Sequence, residues 1–317
     1  MKVIEHLESA KKPLISFELI PPKRGGDIKS VLAVLDEIMI YKPPFIDITS
    51  HAAEVIYDET PTGIKKIVKR KRPGTLGICA LIQNKYNVDA VPHILVKGFT
   101  REETEDFMIE LNYLGIDNVL AIRGDESGYD KPIPLGRSTH QNSLELVKQI
   151  IDMNNGKYLE DSLLEAKPTN YCIGIGGYPE KHFEAPNLKS DIKFIKQKVD
   201  AGADYVVTQM FFDNKFYFDF VDKCRVEGIN VPIIPGIKIL TSKVQLHTIP
   251  KNFHVTIPDA LSDEVYAIKP EDTLKVGVEW AVKQVEELIG KNVPGVHFYI
   301  MLDSRPIKML MERVKMF

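Results

Sequence analysis

Asn118-Val119-Leu120-Ala121-Ile122-Arg123-Gly124-Asp125 reads as a buried strand that ends abruptly in charge. Alternation along an extended chain puts Val119, Ala121, Arg123 and Asp125 on one side, and Gly124 between the two charges lets another group approach the backbone. Charges at the carboxyl end of a buried strand point either to a site or to an Arg-Asp pair that closes a corner. The choice depends on how many other strands end in the same way.

Working outward from this stretch, strand-like and helix-like runs alternate along the whole chain. The expected strands are Leu14 to Ile20, Phe45 to Ser50, Thr75 to Gln83, Asn118 to Arg123, Asn170 to Ile175, Tyr205 to Phe211, Pro232 to Ile237 and His297 to Leu302. Between them the spacing predicts helices over Asp27 to Tyr41, Thr60 to Lys71, Arg101 to Leu114, Ser143 to Met153, Leu188 to Ala201, Lys215 to Glu227, Ser242 to Ile249 and Thr273 to Ile289. A last helix is expected over Pro306 to Met316. Thr100 before Arg101-Glu102-Glu103 forms a capping box, and Gly115, Gly202 and Gly228 supply C-terminal caps. The intervals Gly124 to Asn142 and Lys251 to Asp272 read as loops or short extra elements. Eight strand-helix pairs in 317 residues, with no linker-like stretch, predict an α/β fold of one domain, a (β/α)8 barrel over residues 1–317.

Composition narrows the function classes. Hydrophobic residues are 44% and charged residues 27%, the balance of a globular chain, and a net charge of −3 gives no basic field for nucleic acid. Lys65, Lys66, Lys69, Arg70, Lys71 and Arg72 form the dense basic cluster, read as the solvated face of a helix and its exit. No apolar run approaches the roughly 18 residues of a membrane span, and the first residues lack the apolar core of a signal peptide. Cys79, Cys172 and Cys224 are widely spaced, two of them in apolar strand-like runs, as expected of reduced thiols in a cytoplasmic protein.

Polar residues do accumulate where the expected strands end. Ser16 and Glu18 share one face of the first strand, opposite Ile15, Phe17 and Leu19. Desolvation inside an apolar barrel should raise the pKa of Glu18 and make it a general acid, unless an Arg or Lys from a neighbouring strand pairs with it. Asp47 and Thr49 share a face of the second strand, followed by His51, and Pro92-His93 comes after the third. His51, His93 and His182 raise the question of a metal, but no H-x-H or H-E-x-x-H spacing occurs, so none is expected. The fifth strand runs into Gly174-Ile175-Gly176-Gly177-Tyr178-Pro179-Glu180-Lys181-His182, either a glycine-rich turn or a close backbone contact for a planar or phosphorylated ligand. Asp191 and Lys198 lie two turns apart on one helix face. Gln209 shares the inward face with Val207, where an amide can donate to and accept from a heterocycle.

Together these strand ends resemble the methylenetetrahydrofolate reductase family. The resemblance rests on Ser16-Phe17-Glu18 with Pro21-Pro22, Pro92-His93, Leu120-Ala121-Ile122-Arg123-Gly124-Asp125, Tyr178-Pro179-Glu180 with His182, Lys198-Val199-Asp200-Ala201-Gly202-Ala203, and Thr208-Gln209 with Phe211-Phe212-Asp213. It implies a barrel that holds FAD, takes a hydride from NADH or NADPH, and passes it to 5,10-methylenetetrahydrofolate in one-carbon and methionine metabolism. By the same resemblance Glu18 is the acid that opens the folate ring, and Asp125 the carboxylate beside the flavin N1 and O2 edge. Thr49, Ala52, His93, Arg123, Gly124, Tyr178, His182, Asp191 and Lys198 match flavin-holding positions, and Gln209 and Tyr299 match substrate contacts.

The chain also departs from the family's pattern. Asn142 stands where an aromatic residue often meets the flavin, Phe194 where an amide is common, and Lys243 where an aromatic covers the substrate. No counterpart of the regulatory domain of larger relatives is expected, and self-association into a homo-oligomer is left open by the exposed helix faces. Two other functions compete: an aldolase-type barrel with Lys198 as Schiff-base nucleophile, and a barrel that binds flavin or pterin without turnover.

Overall fold

The computed structural model describes residues 1–69, 72–125, 128 and 131–314. Eight parallel strands close into a barrel in chain order, each hydrogen-bonded to the next and the last to the first. These are β1 (Leu14–Leu19), β2 (Phe45–Ile48), and, after an inserted hairpin of β3 (Glu54–Thr60) and β4 (Gly63–Lys69), β5 (Asp89–Leu95), β6 (Asn118–Ile122), β7 (Cys172–Gly177), β8 (Tyr205–Met210), β9 (Ile233–Ile237) and β10 (Gly295–Met301). Helix α1 (Val3–Ser9) precedes the barrel, and α2 (Lys29–Ile38), α3 (Thr75–Leu81), α4 (Arg101–Tyr113), α5 (Ser143–Asn154), α6 (Leu188–Asp200) and α7 (Asn214–Val226) follow successive strands. Then come α8 (Gln245–Phe253), α9 (Asp259–Ala267), α10 (Thr273–Gly290) and α11 (Arg305–Met311). The (β/α)8 expectation therefore holds, and the last helix is shorter than expected; residues 315–316 of it lie outside the described residues.

Two expected elements are corrected. Thr75 to Gln83 is not the third strand but α3, continued by a π-helical turn over Ile82–Tyr86. Thr75, Ile78, Cys79 and Ile82 are its buried residues, a spacing of three, four and seven that suits one helical face and no strand. The third barrel strand is β5, so His93 lies within a strand and not after one. Thr60 to Lys71 is not a helix either. Its described part pairs antiparallel with β3, from Glu54 opposite Lys69 to Thr60 opposite Gly63. Lys65, Lys66 and Lys69 are exposed on this hairpin rather than on a helix face, and Arg70 and Lys71 lie outside the described residues. Of the two long intervals, Lys251 to Asp272 holds α9, and Gly124 to Asn142 carries no helix or strand at its described positions.

Two apolar layers position the barrel. Ile15, Phe17, Ile46, Val119, Ala121, Ile173 and Val206 point outward into the packing between strands and helices. Phe45, Val91, Leu120, Cys172, Tyr205, Val207 and Ile234 fill the interior, joined by Val3 and Leu7 of α1. Helix α1 is therefore a plug in the amino-terminal end, fixed by the Val3 amide donating to Asn118 Oδ1 at 2.7 Å. All three cysteines are buried and unbonded, as expected of packed thiols, although Cys79 sits in a helix and not a strand. The capping box at Thr100 forms, and Gly115, Gly202 and Gly228 take left-handed φ at the ends of α4, α6 and α7. Among the described residues no helix is long and apolar enough to cross a membrane.

Candidate active site

With apolar side chains filling the lower barrel, polar inward positions are left near its carboxyl end, and strand register fixes which of them meet. Glu18 on β1 stands opposite Asp47 on β2 and Tyr299 on β10, and Ser16 stands opposite His297. Ser16, Glu18, Asp47, His93 and His297 are all buried. His93 Nε2 approaches Glu18 Oε2 at 3.5 Å and Asp47 Oδ1 at 3.6 Å. His297 Nδ1 is 2.9 Å from Ser16 Oγ and 3.8 Å from Asp47 Oδ2, and its Nε2 is 3.9 Å from Glu18 Oε2. Lys238, just past β9, donates to the Tyr299 carbonyl at 2.7 Å.

This neighbourhood corrects the expected protonation of Glu18. Burial does push its pKa up, but the approach of His297, and the charges of His93, His297 and Lys238, pull it further down, to below the ordinary carboxylate value. Burial disfavours charge on His93, yet the nearby Asp47, Glu18 and Asp125 carboxylates outweigh it and raise the His93 pKa. The proton of this cluster therefore belongs to imidazole before it belongs to Glu18. His297 and Lys238 are the partners that a reading of single strands missed. Val296 and Phe298 face the outer core, so the alternation around His297-Phe298-Tyr299 carried the signal that His297 and Tyr299 point inward.

A second arc of residues runs around the mouth. Thr49 Oγ1 lies 2.9 Å from His51 Nε2, and the Thr49 carbonyl accepts from Thr75 Oγ1 at 3.0 Å. Gly98, with φ +81°, lies so close to Ala52 that a Cβ there would sit 2.5 Å from the Ala52 Cβ. Strand alternation at Arg123 and Asp125 stops earlier than expected: β6 ends at Ile122, and Gly124, with φ +86°, turns the chain. Arg123 donates to Glu184 Oε1 at 2.6 Å, with its guanidinium 5.3 Å from the Phe183 ring centre. Asp125 is exposed, and its charge is felt by His51, His93 and Tyr178. Glu18 acts on the same two imidazoles.

Beyond β7, Tyr178 packs edge-on against His182, 4.6 Å between ring centres. The His182 amide donates to Asp191 Oδ2 at 2.7 Å. Burial, with Arg123, Lys198 and Lys181 adding to it and Glu184 opposing, holds the His182 imidazole down to about 4. Asp191 and Lys198 both turn inward from α6, as their spacing implied. Lys198 Nζ lies 3.5 Å from the Gly176 carbonyl and 5.1 Å from the Phe194 ring centre. Its burial lowers the amine to about 8, with Asp191 opposing the shift. Gln209 is half-buried and folds back to accept from the Met210 amide at 2.9 Å. Tyr299 OH donates to the Thr208 carbonyl at 2.6 Å.

The departing residues have local partners. Asn142 caps α5, its Oδ1 accepting from the amides of Leu144 and Glu145 at 3.1 and 3.2 Å. Phe194 takes the Lys198 ammonium over its ring, and Lys243 reaches Tyr266, donating to its carbonyl at 3.3 Å.

Similarity to known proteins agrees with this geometry. The sequence model of the family described as methylenetetrahydrofolate reductase matches residues 2–315. Methylenetetrahydrofolate reductase 1 of Schizosaccharomyces pombe is 30% identical over 312 residues, which are 98% of this chain and 47% of that protein. The 5,10-methylenetetrahydrofolate reductase of Pectobacterium carotovorum is 28% identical over 290 residues, 90% of this chain and 84% of that one. The chain thus spans about half the length of the fission-yeast relative and most of the bacterial one. An uncharacterized protein from Clostridium thermocellum, which binds two copies of 5-methyl-5,6,7,8-tetrahydrofolic acid, shares the fold with a TM-score of 0.57 at 14% identity, covering 97% of this chain and 96% of that one. The match along nearly its whole length means that the chain belongs to the methylenetetrahydrofolate reductase family.

Proposed function

We propose that this barrel reduces 5,10-methylenetetrahydrofolate to 5-methyltetrahydrofolate, using FAD and a hydride from NADH or NADPH. The observation that carries the reading is Glu18, a buried carboxylate at the barrel mouth with His93 Nε2 at 3.5 Å and His297 Nε2 at 3.9 Å. Family membership and the name of the bacterial relative support the folate substrate.

The residues around the mouth fit the flavin. Lys198 is a buried ammonium whose carbonyl contact is long at 3.5 Å and whose lowered pKa marks a shortage of counter-charge, which a diphosphate would supply. Arg123 and His182 would flank that group, and Thr49 and Ala52, the latter in close approach to Gly98, would hold the ring end. When bound, FAD supplies the hydride relay between nicotinamide and folate. Asp125 sets a negative charge at this mouth, which opposes further negative charge beside it. Glu18 passes a proton to a folate nitrogen so that the imidazolidine ring opens to the iminium that accepts hydride. Gln209, once released from the Met210 amide, and Tyr299 would orient the folate.

Stopped-flow mixing of the two half-reactions tests the assignment. In Glu18→Gln, flavin reduction by NAD(P)H persists while reoxidation by methylenetetrahydrofolate falls by about 100-fold or more. Wild-type rates in both would remove Glu18 from the mechanism. A yellow purified protein absorbing near 450 nm separates this reading from the flavin-free alternative. The aldolase reading has one observation in its favour, the Lys198 amine at about 8. That amine comes from α6, a helix and not a strand end, and lies against the Gly176 carbonyl, so borohydride with substrate should leave it unlabelled.

A further inference from the structure

Asp47 is the most deeply buried carboxylate of the central cluster, at 0% exposure, and both of its oxygens lack a hydrogen-bond partner. A carboxylate so enclosed is costly unless a cation stands beside it. Among the described residues, the groups that face it are Glu18 across the β1 register, His93 on β5, Tyr205 on β8, His297 and Tyr299 on β10, and Cys79 on α3. Two of these six can carry positive charge, and both are imidazoles. Lys238 acts on Glu18, and Asp125 and His51 lie on the mouth side of His93.

His93 is placed between the two carboxylates, its Nε2 3.5 Å from Glu18 and 3.6 Å from Asp47, and this atom also lacks a hydrogen-bond partner. We propose that Asp47 is a positioning residue that holds His93 as the imidazolium, and that His93 reloads Glu18 with the proton Glu18 gives to substrate. The proposal rests on the folate reading of the site, and it adds a source for the proton. In the step, the His93 Nε2–H bond breaks and an O–H bond forms at Glu18 Oε2. Glu18 then yields this proton to the folate nitrogen and returns to carboxylate, and after product leaves, water entering the mouth returns a proton to the vacant nitrogen, Nε2, while Nδ1 keeps its own hydrogen. Nothing is oxidised or reduced in the relay, and Asp47 exchanges no proton in it. Both gaps exceed a hydrogen bond by a few tenths of an ångström, a slack that substrate binding closes in many acid-base sites. The raised His93 pKa agrees with this placement of the proton.

Asp47→Asn keeps the shape and removes the charge. The first readout needs no cofactor: NMR titration of the imidazole Cε1–H signals in the flavin-free protein. His93 is expected to remain charged at pH 7 in the wild type and to titrate about one unit or more lower in Asp47→Asn. The second readout is the pH profile of flavin reoxidation by methylenetetrahydrofolate. It should fall about tenfold or more in the variant at pH 7.5 and recover as the pH is lowered, which a merely structural role would not produce. An unshifted His93 titration, or a loss that acid does not rescue, overturns the proposal. If Asp47→Asn does not fold, the wild-type titration decides, and a neutral His93 at pH 7 overturns it. Failure of the folate reading itself would show differently, as a wild-type protein that never passes hydride to folate whatever its imidazoles do.

Discussion

Lys198 makes the clearest prediction at the scale of single residues. Its amine is held to about 8 by burial, so in the free protein it begins to lose its proton just above neutrality. On the proposed reading an anionic diphosphate would bind the charged form, so FAD binding should be at full strength below about 8 and weaken as pH rises through that value. Flavin fluorescence quenching measured from pH 6.5 to 9.5 should show this decline. Lys198→Met should weaken binding about tenfold at pH 7 and flatten the profile; an unchanged slope would remove Lys198 from the phosphate site. Glu18 shows where reading residues one at a time stops. Its inward direction followed from the alternation of Ile15, Phe17 and Leu19 against Ser16 and Glu18. Its ionisation did not, because His93, His297 and Lys238 arrive from strands far along the chain and reverse the effect of burial.

At the scale of elements, Asn142 is explained by the helix it starts. Two amides of the first turn of α5 bond its side chain, so Asn142→Ala should cost about 1 kcal/mol in denaturant unfolding while leaving the bound flavin spectrum unchanged. A spectral shift would instead make it a flavin contact. The strands β1, β2, β6, β7, β8, β9 and β10 were legible because each is a short apolar run bounded by a turn and a helix. The interval between β2 and β5 was not. A short apolar run such as Thr75 to Gln83 suits a buried strand as well as a buried helix, and only the packing of Ile78, Cys79 and Ile82 on one face decides it. The lysines of β4 imitated a solvated helix, although Thr60-Pro61-Thr62-Gly63 already carried a turn signal. Thr60 Oγ1 donates to the Gly63 carbonyl at 2.7 Å and closes that turn. With three strands of the interval misread, His93 was placed after a strand, and its meeting with Asp47 could not be seen.

For the molecule as a whole, α1 seals one end of the barrel. Leu7 packs with Phe45, Val91 and Leu120 in the interior, so Leu7→Ala should lower stability by about 2–3 kcal/mol, read from the urea midpoint. Substrate turnover in the folded fraction should be unaffected, because that packing lies at the opposite end from Glu18; altered turnover at equal folded fraction would contradict this separation. The seal also sets traffic. A cylinder stoppered at its floor is open at its other end, and on the proposed reading the nicotinamide and the folate would use that doorway in turn. Excess of either visitor should then hold the other outside, so that at high concentrations each acts as a competitive inhibitor against its counterpart.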